Sequence, residues 1–304
     1  MVLPGVAHAS TAPLPAPVTI RPFGVHGVPG EGRWRSAGRD VAGRPAVYTT
    51  ELVPPGGGPP AGLAWMDTRL LAARLYSGSE SPGGGPFRYT APVTPAAART
   101  LVAAFNGGFL MRNAEGGYYT EGRVVVPLRR GAASLVVYSG GGVAIGAWGS
   151  DVTMTPRVAS VRQNLVLLVA RGAPTLAAAS PDWLRWGATC GAMSCARDVP
   201  GIDHQWRSAV GVTADGALVY ASGPGLAPVQ LADLLVRAGA VRAMELDINP
   251  AWPDFATYDP APGALASPAN GTKLVPSTVQ GPWTFFEPWW PRDFVTLSAR
   301  TTAG

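Results

Sequence analysis

Apolar and polar positions alternate most clearly between Arg207 and Pro250, and this stretch sets the plan for the chain. Val210, Val212, Leu218 and Tyr220 flank Ala214-Asp215-Gly216, whose Asp-Gly pair is hairpin turn chemistry. Val229, Leu231, Ala232, Leu234, Leu235 and Ala238 then recur at helical spacing. Pro228 suits the first helical position and Gly239 the position past the end. From Val241 to Asp247 the pattern returns to period two, predicting a strand with Glu245 and Asp247 on one face. Pro250 stops it, because proline has no N–H to extend a ladder.

A second unit has the same plan. Thr94-Pro95 predicts a capped helix start, and Leu101 to Phe105 a short buried strand ending at Asn106-Gly107-Gly108-Phe109. The two glycines allow a sharp turn or a close backbone approach. Shorter strands are expected between residues 30 and 90, separated by Pro/Gly loops, with Asp67 at one strand end. A meander is expected over Arg123 to Pro127, Ala133 to Tyr138, Val143 to Trp148 and Leu165 to Ala170, and a last strand over Asp293 to Leu297. No repeat has a fixed period. The fold class is α+β: a single domain of curved, mainly antiparallel or mixed sheets with a few covering helices. It is expected over residues 21–300, after a loose or signal-derived tail over residues 1–20.

Composition changes this picture little. Glycine and proline number 39 and 31 in 304 residues, which favours many tight turns; the apolar runs exclude disorder over most of the chain. The net charge is +5 and Lys273 is the only lysine. The arginines are dispersed without interleaved aromatics, so nucleic acid is not an expected partner, whereas an anionic substrate is favoured. No apolar run reaches 18 residues, so no membrane span is expected. Val6-Ala7-His8-Ala9-Ser10 reads as the small-residue end of a secretory signal, which points to a secreted or cell-envelope location. Cys190 and Cys195 then suit a small disulfide loop, metal binding by the pair being the weaker alternative. The histidines, His8, His26 and His204, lack metal-ligand spacing, so no metal site or cofactor is expected. A divalent ion beside Asp247 stays an open alternative. Ser208 and Ser222 have no histidine partner in sequence, and nothing supports a catalytic triad.

The motifs Asn106-Gly107-Gly108-Phe109, Arg207-Ser208-Ala209-Val210-Gly211 and Leu246-Asp247, with the helix between the last two, occur in an order that resembles the phosphodiester glycosidase family, in an actinobacterial-type branch, over roughly residues 60 to 298. The resemblance implies hydrolysis of a sugar-1-phosphodiester or a cell-envelope glycan. It implies Arg207 on the phosphate and Asp247 at the anomeric carbon, with Glu245 as a partner acid. Asn106, Gly107 and Gly108 would line the substrate site. Family members commonly follow the aspartate with Gly-Gly-Gly-Ser. Here Ile248-Asn249-Pro250-Ala251-Trp252 stands instead, stiffer and with one N–H fewer.

Each candidate also has a bland reading. Arg207 and Glu245 could be ion-pair partners, and Asn106 a turn residue. Arg162-Gln163-Asn164, before the apolar run Leu165 to Val169, either reach the pocket or satisfy loop backbone. Asn249 belongs to the loop that would contact substrate. Glu121 lies among tyrosines that could stack on sugars or pack across strands, and Trp283, Trp289 and Trp290 divide the same way between sugar stacking and burial. Two other functions stay open: a non-catalytic glycan-binding module and a glycosidase acting on neutral polysaccharide. A metal-dependent phosphodiesterase is disfavoured. The pattern does not specify an oligomeric state.

Overall fold

The computed structural model describes residues 12–24, 27–180, 186 and 204–300. Three sheets form, and every pairing between named strands is antiparallel. The largest runs, in spatial order, β1 (Arg35–Ser36), β2 (Val47–Leu52), β3 (Ala61–Met66), β14 (Leu218–Leu226), β13 (Gln205–Thr213), β15 (Ala240–Glu245), β11 (Leu167–Ala170) and β12 (Ala173–Pro174). A second contains β7 (Arg123–Val126), β6 (Tyr118–Thr120), β10 (Val158–Gln163), β8 (Ala133–Tyr138) and β9 (Val143–Ala147). The third contains β17 (Gly271–Lys273), β16 (Phe255–Tyr258), β5 (Leu101–Asn106), β18 (Phe294–Ala299) and β4 (Leu71–Tyr76).

Alternation along the central strands builds two cores at once. Ala209, Val219, Ala221 and Ala243 face one side of the large sheet and pack under α3 (Pro228–Arg237) through Leu231, Ala232, Leu234 and Leu235. Val210, Leu218, Tyr220 and Met244 face the other side and meet the two smaller sheets through Leu75, Phe105, Leu135 and Val295. Because both faces are covered there, the central strand β3, Ala-Gly-Leu-Ala-Trp-Met, is wholly apolar and buried.

Local signals are realised where they were strongest. α3 begins at Pro228, and Gly239 past its end has φ +95°. Gly216 closes the β13–β14 hairpin with φ +95°. The helix opened by Thr94 exists but is a single turn, α1 (Pro95–Ala98), with the Thr94 hydroxyl accepting from the Ala97 N–H. The expected meander needs correction. Its first three strands are β7, β8 and β9, but the fourth, β11, belongs to the large sheet. The strand that joins β6 to β8 is β10, which ends in Arg162 and Gln163. Leu165 breaks the chain between β10 and β11 with φ +55°.

Asp67 is a turn residue: its carboxylate accepts from the N–H groups of Arg69 and Leu14. Leu14 and Ile20 belong to the core under α3, so the loose tail expected over residues 1–20 is docked at those positions. The signal-like residues 6–10 and the pair Cys190 and Cys195 lie outside the described residues. Among the described residues no helix is long and apolar enough to cross a membrane.

Candidate functional site

Three neighbouring strands of the third sheet bring polar residues to one end of it. Asn106 closes β5, Asp254 precedes β16, and Asp293 precedes β18, with Phe105 paired to Phe255 and Asn106 to Phe294. Asp247 arrives from the large sheet, two residues after β15. These groups line one cleft together with Gly107, Gly108, Trp252, Thr284, Phe285, Trp290 and Arg292. The cleft is tight, with about 10 Å³ of free volume, roughly what one water needs by the same measure. A sugar enters only if the lining parts.

Ser208 and Asn106 fasten the two sheets at this point. The Asn106 amide donates to the Ser208 hydroxyl at 3.0 Å, and its carbonyl accepts from Tyr220 at 2.7 Å and from the Asp254 N–H at 3.1 Å. Ser208 Oγ lies 3.1 Å from both the N–H and the carbonyl of Asp247. Asn106 therefore does more than stabilise its own turn. Asn164 makes a second link: its amide donates to the carbonyls of Glu245 and Leu246, and its oxygen accepts from the Phe109 N–H.

Gly107 and Gly108 provide close approach rather than a special turn, since neither has positive φ. A Cβ on Gly107 would sit 2.2 Å from Asp293 Oδ2, and one on Gly108 would sit 2.8 Å from Asn164 Oδ1. Gly107→Ala is expected to destabilise the fold by about 1–3 kcal/mol, the usual cost of forcing an extra carbon into a packed site. Urea denaturation tests this, and a midpoint equal to the wild type would show that Asp293 can move aside.

The charges are arranged in pairs. Asp247 takes Arg292, which also donates to the Gly108 carbonyl at 2.9 Å and lies 4.8 Å from the Trp252 ring centroid. The Nε of Arg292 is buried and has no partner among the described residues. Asp293 takes Arg162 at 2.8 Å, and Arg162 also donates to the carbonyls of Gln163 and Phe109. Among the described residues Asp254 has no ion-pair partner, and its buried carboxylate oxygens make no well-formed hydrogen bond, the Thr284 hydroxyl and the Phe255 N–H being its nearest polar neighbours.

Burial pushes the Asp254 carboxyl up to about 7, against smaller pulls from the nearby Thr284 hydroxyl and from Lys273. Burial likewise raises Asp247 to about 6, opposed by Arg292 and by the N–H groups of Asn249 and Ile248. Burial thus pushes both carboxyls into the range where a side chain can take up or release a proton near neutral pH, the raw material of acid–base chemistry.

These raised acids, together with Glu245, contribute to the pH dependence of stability. Between their ordinary values near 4 and their raised values of about 6 to 7, the folded protein keeps protons that the unfolded chain releases. Stability therefore falls as pH rises across that window, by about 1.4 kcal/mol per pH unit for each such group. Asp254→Asn is expected to flatten this slope and to raise stability at pH 8 relative to the wild type. Denaturant titrations at pH 5 and pH 8 measure it, and an unchanged slope would contradict the assignment.

Arg207 and Glu245 stand apart from the cleft. Both are fully buried, 2.6 Å apart, and Arg207 also donates to the carbonyls of Leu226 and Trp186. The expected shared face for Glu245 and Asp247 does not form. The strand stops at Glu245, and Asp247 turns to a different arginine. Burial raises Glu245 to about 7, with Arg207 pulling back. Gln163 satisfies backbone: its oxygen accepts from Gly117 and Arg129, and its amide donates to Arg129 and Ser134. Asn249 is exposed and serves its own loop, its N–H donating to Asp247 and its oxygen accepting from Ala251.

Arg292, Asp254, Asp293 and Trp252 were not singled out from the sequence. A signal was present: Pro253-Asp254-Phe255 and Arg292-Asp293-Phe294 each place an acid just before an alternating strand. A larger groove of about 870 Å³, lined by Arg74, Arg88, Tyr89 and Glu121, lacks a free acid. Both Glu121 carboxylate oxygens accept from the backbone N–H groups of Arg88 and Tyr89. Among the described residues no group of three or more His, Cys, Asp or Glu side chains could hold a metal ion.

Residues 99–247 match the model of a known family, described as phosphodiester glycosidase. The span opens just before β5 and closes on Asp247, so it takes in Asn106-Gly107-Gly108 but not Asp254 or Arg292. No curated protein sequence matches the chain. Among solved structures, similarity is found to the zebrafish N-acetylglucosamine-1-phosphodiester alpha-N-acetylglucosaminidase catalytic domain auto-inhibited by pro-peptide. The identity is 16%, covering 89% of this chain and 88% of that one, with a TM-score of 0.48. A hypothetical protein from Synechocystis is 13% identical, covering 86% of this chain and 64% of its own length, with a TM-score of 0.45.

Proposed function

We propose that this chain, which carries a phosphodiester glycosidase family domain over residues 99–247, hydrolyses a sugar-1-phosphodiester at the cleft formed by Asp247, Asp254 and Arg292. The observation that carries the reading is the meeting, in one buried cleft, of two carboxyls and an arginine whose Nε has no partner among the described residues.

Cleavage at the anomeric carbon passes through an oxocarbenium-like transition state, and the phosphate departs with the electrons of the C1–O bond. A guanidinium suits that group, because its planar donors match phosphate oxygens. Arg292 fills this role better than Arg207, whose guanidinium is occupied by Glu245 and two carbonyls. Asp247, ionised above about pH 6, addresses the anomeric carbon or the water that attacks it. Asp254, protonated up to about pH 7, donates to the departing phosphate oxygen. Asn106 and the Gly107-Gly108 backbone position the sugar beside them.

This assignment has a pH signature. The rate is expected to rise through about pH 6 as Asp247 ionises and to fall above about pH 7 as Asp254 loses its proton. The discriminating experiment compares wild-type turnover of sugar-1-phosphodiesters with that of neutral aryl glycosides. Release of free sugar from the phosphodiesters alone is the expected result. Equal turnover of neutral glycosides would reassign the enzyme to that class. Affinity without turnover would favour a glycan-binding module, the reading that the unusual Ile248-to-Trp252 loop keeps open. A location outside the cytoplasm is part of the proposal and rests on the signal-like residues 6–10.

A further inference from the structure

Three indoles make a row of edge-to-face contacts that starts in the cleft. Trp252 and Trp290 line the cleft, with ring centroids 5.7 Å apart, and Trp290 lies 6.0 Å from Trp283. The row thus runs from a cleft wall to a ring that is 43% exposed. Trp289 extends it in sequence, is 84% exposed, and takes part in none of these ring contacts.

Burial gives no reason for holding Trp289 there. An exposed indole forgoes the largest apolar gain of any side chain, and Trp289 also has φ +61°, a region costly for bulky residues. The segment is nevertheless fixed in place. Ser79 Oγ donates to the Trp289 carbonyl at 2.9 Å, the Ser79 N–H to that of Trp290 at 3.0 Å, and the Glu80 N–H to that of Pro291 at 3.1 Å. The backbone that carries Trp289 and Trp290 is therefore held in place, so a partner that binds there need not order this segment.

We propose that Trp283, in edge-to-face contact with Trp290, and the exposed Trp289 next to it in the chain offer separate ring faces on which a saccharide chain stacks, a chain that the substrate carries beyond its reacting phosphodiester. Pyranose rings present flat C–H faces that pack on indole, and the hydroxyls at their edges stay in water. The proposal deepens the hydrolase reading and rests on it: the substrate is an oligosaccharide or polymer, not a small phosphodiester.

The test uses two sugar-1-phosphodiesters with the same reacting sugar, one with a methyl aglycone and one with a tetrasaccharide aglycone. Wild type, Trp283→Ala and Trp289→Ala are compared; neither residue lines the cleft. The wild type is expected to show a KM about tenfold lower for the tetrasaccharide substrate, a difference the variants erase without changing kcat or the methyl substrate. Equal KM values in the wild type, or variants that keep the preference, would overturn the stacking proposal and leave the hydrolase reading intact. If the wild type turns over neither substrate, the hydrolase reading fails. Calorimetry with a phosphorylated tetrasaccharide then decides the stacking proposal separately: about tenfold weaker binding in the variants supports it, and no binding by the wild type overturns it.

Discussion

Asp247→Asn is expected to lower turnover of the preferred phosphodiester by about 10³- to 10⁴-fold, in the range seen when an essential reacting group is neutralised without changing its shape. Asparagine can keep the oxygen that accepts the Asn249 N–H, so the loop stays formed. It cannot supply a negative charge at the anomeric carbon. It also leaves Arg292 without its counter-ion, which should hold KM steady or lower it, because an unpaired guanidinium attracts phosphate more strongly. The loss therefore falls on kcat. Residual turnover should no longer rise through about pH 6, the value to which burial raises Asp247. A variant that retained kcat within a few-fold of the wild type would remove Asp247 from the chemistry.

Arg207→Met has the second large effect, on stability. The guanidinium is fully buried, and it holds Glu245 at 2.6 Å together with the carbonyls of Leu226 and Trp186. Removing one partner of a buried pair leaves the other uncompensated, at a cost of about 3–5 kcal/mol. The penalty is smaller at low pH, because Glu245 is already pushed up to about 7 and can take a proton. Urea unfolding at pH 5 and pH 8 should show the variant suffering more at the higher pH. Stability unchanged at both would mean that Arg207 is not a structural cation, and its assignment to phosphate would return.

These two residues show what a pattern can carry. The β13–β14 hairpin, α3 and β15 follow from turn chemistry and periodicity within about forty residues, and they appear where expected. Asp247, Asn106 and the Gly107-Gly108 pair were visible as the ends of such units. The partners were not. Which arginine meets which acid depends on how the sheets stack. Arg207 lies closer in sequence to Asp247 than Arg292 does, yet β15 ends at Glu245 and gives Arg207 to that residue. Asp254 was hidden for another reason. An acid before a strand ordinarily reads as a solvated turn, and only the packing of Phe285 and Phe294 around the cleft makes it a buried carboxyl without an ion-pair partner among the described residues. Arg162 and Gln163 finish β10, which the alternation does not mark, so in the sequence they stand as the polar entry to the next strand, and of the two readings open there Gln163 takes the one that satisfies backbone.

The third sheet has a consequence for how the protein is made. β18 sits between β5 and β4, pairing with both, although it is synthesised almost two hundred residues after β5. While the ribosome is adding the intervening segments, β4 and β5 each present an unpaired edge of apolar backbone, the kind of edge that recruits other chains. The same late strand follows Arg292 and Asp293 directly. The reactive cleft is thus absent from every nascent intermediate and closes in the step in which β18 joins β4 to β5.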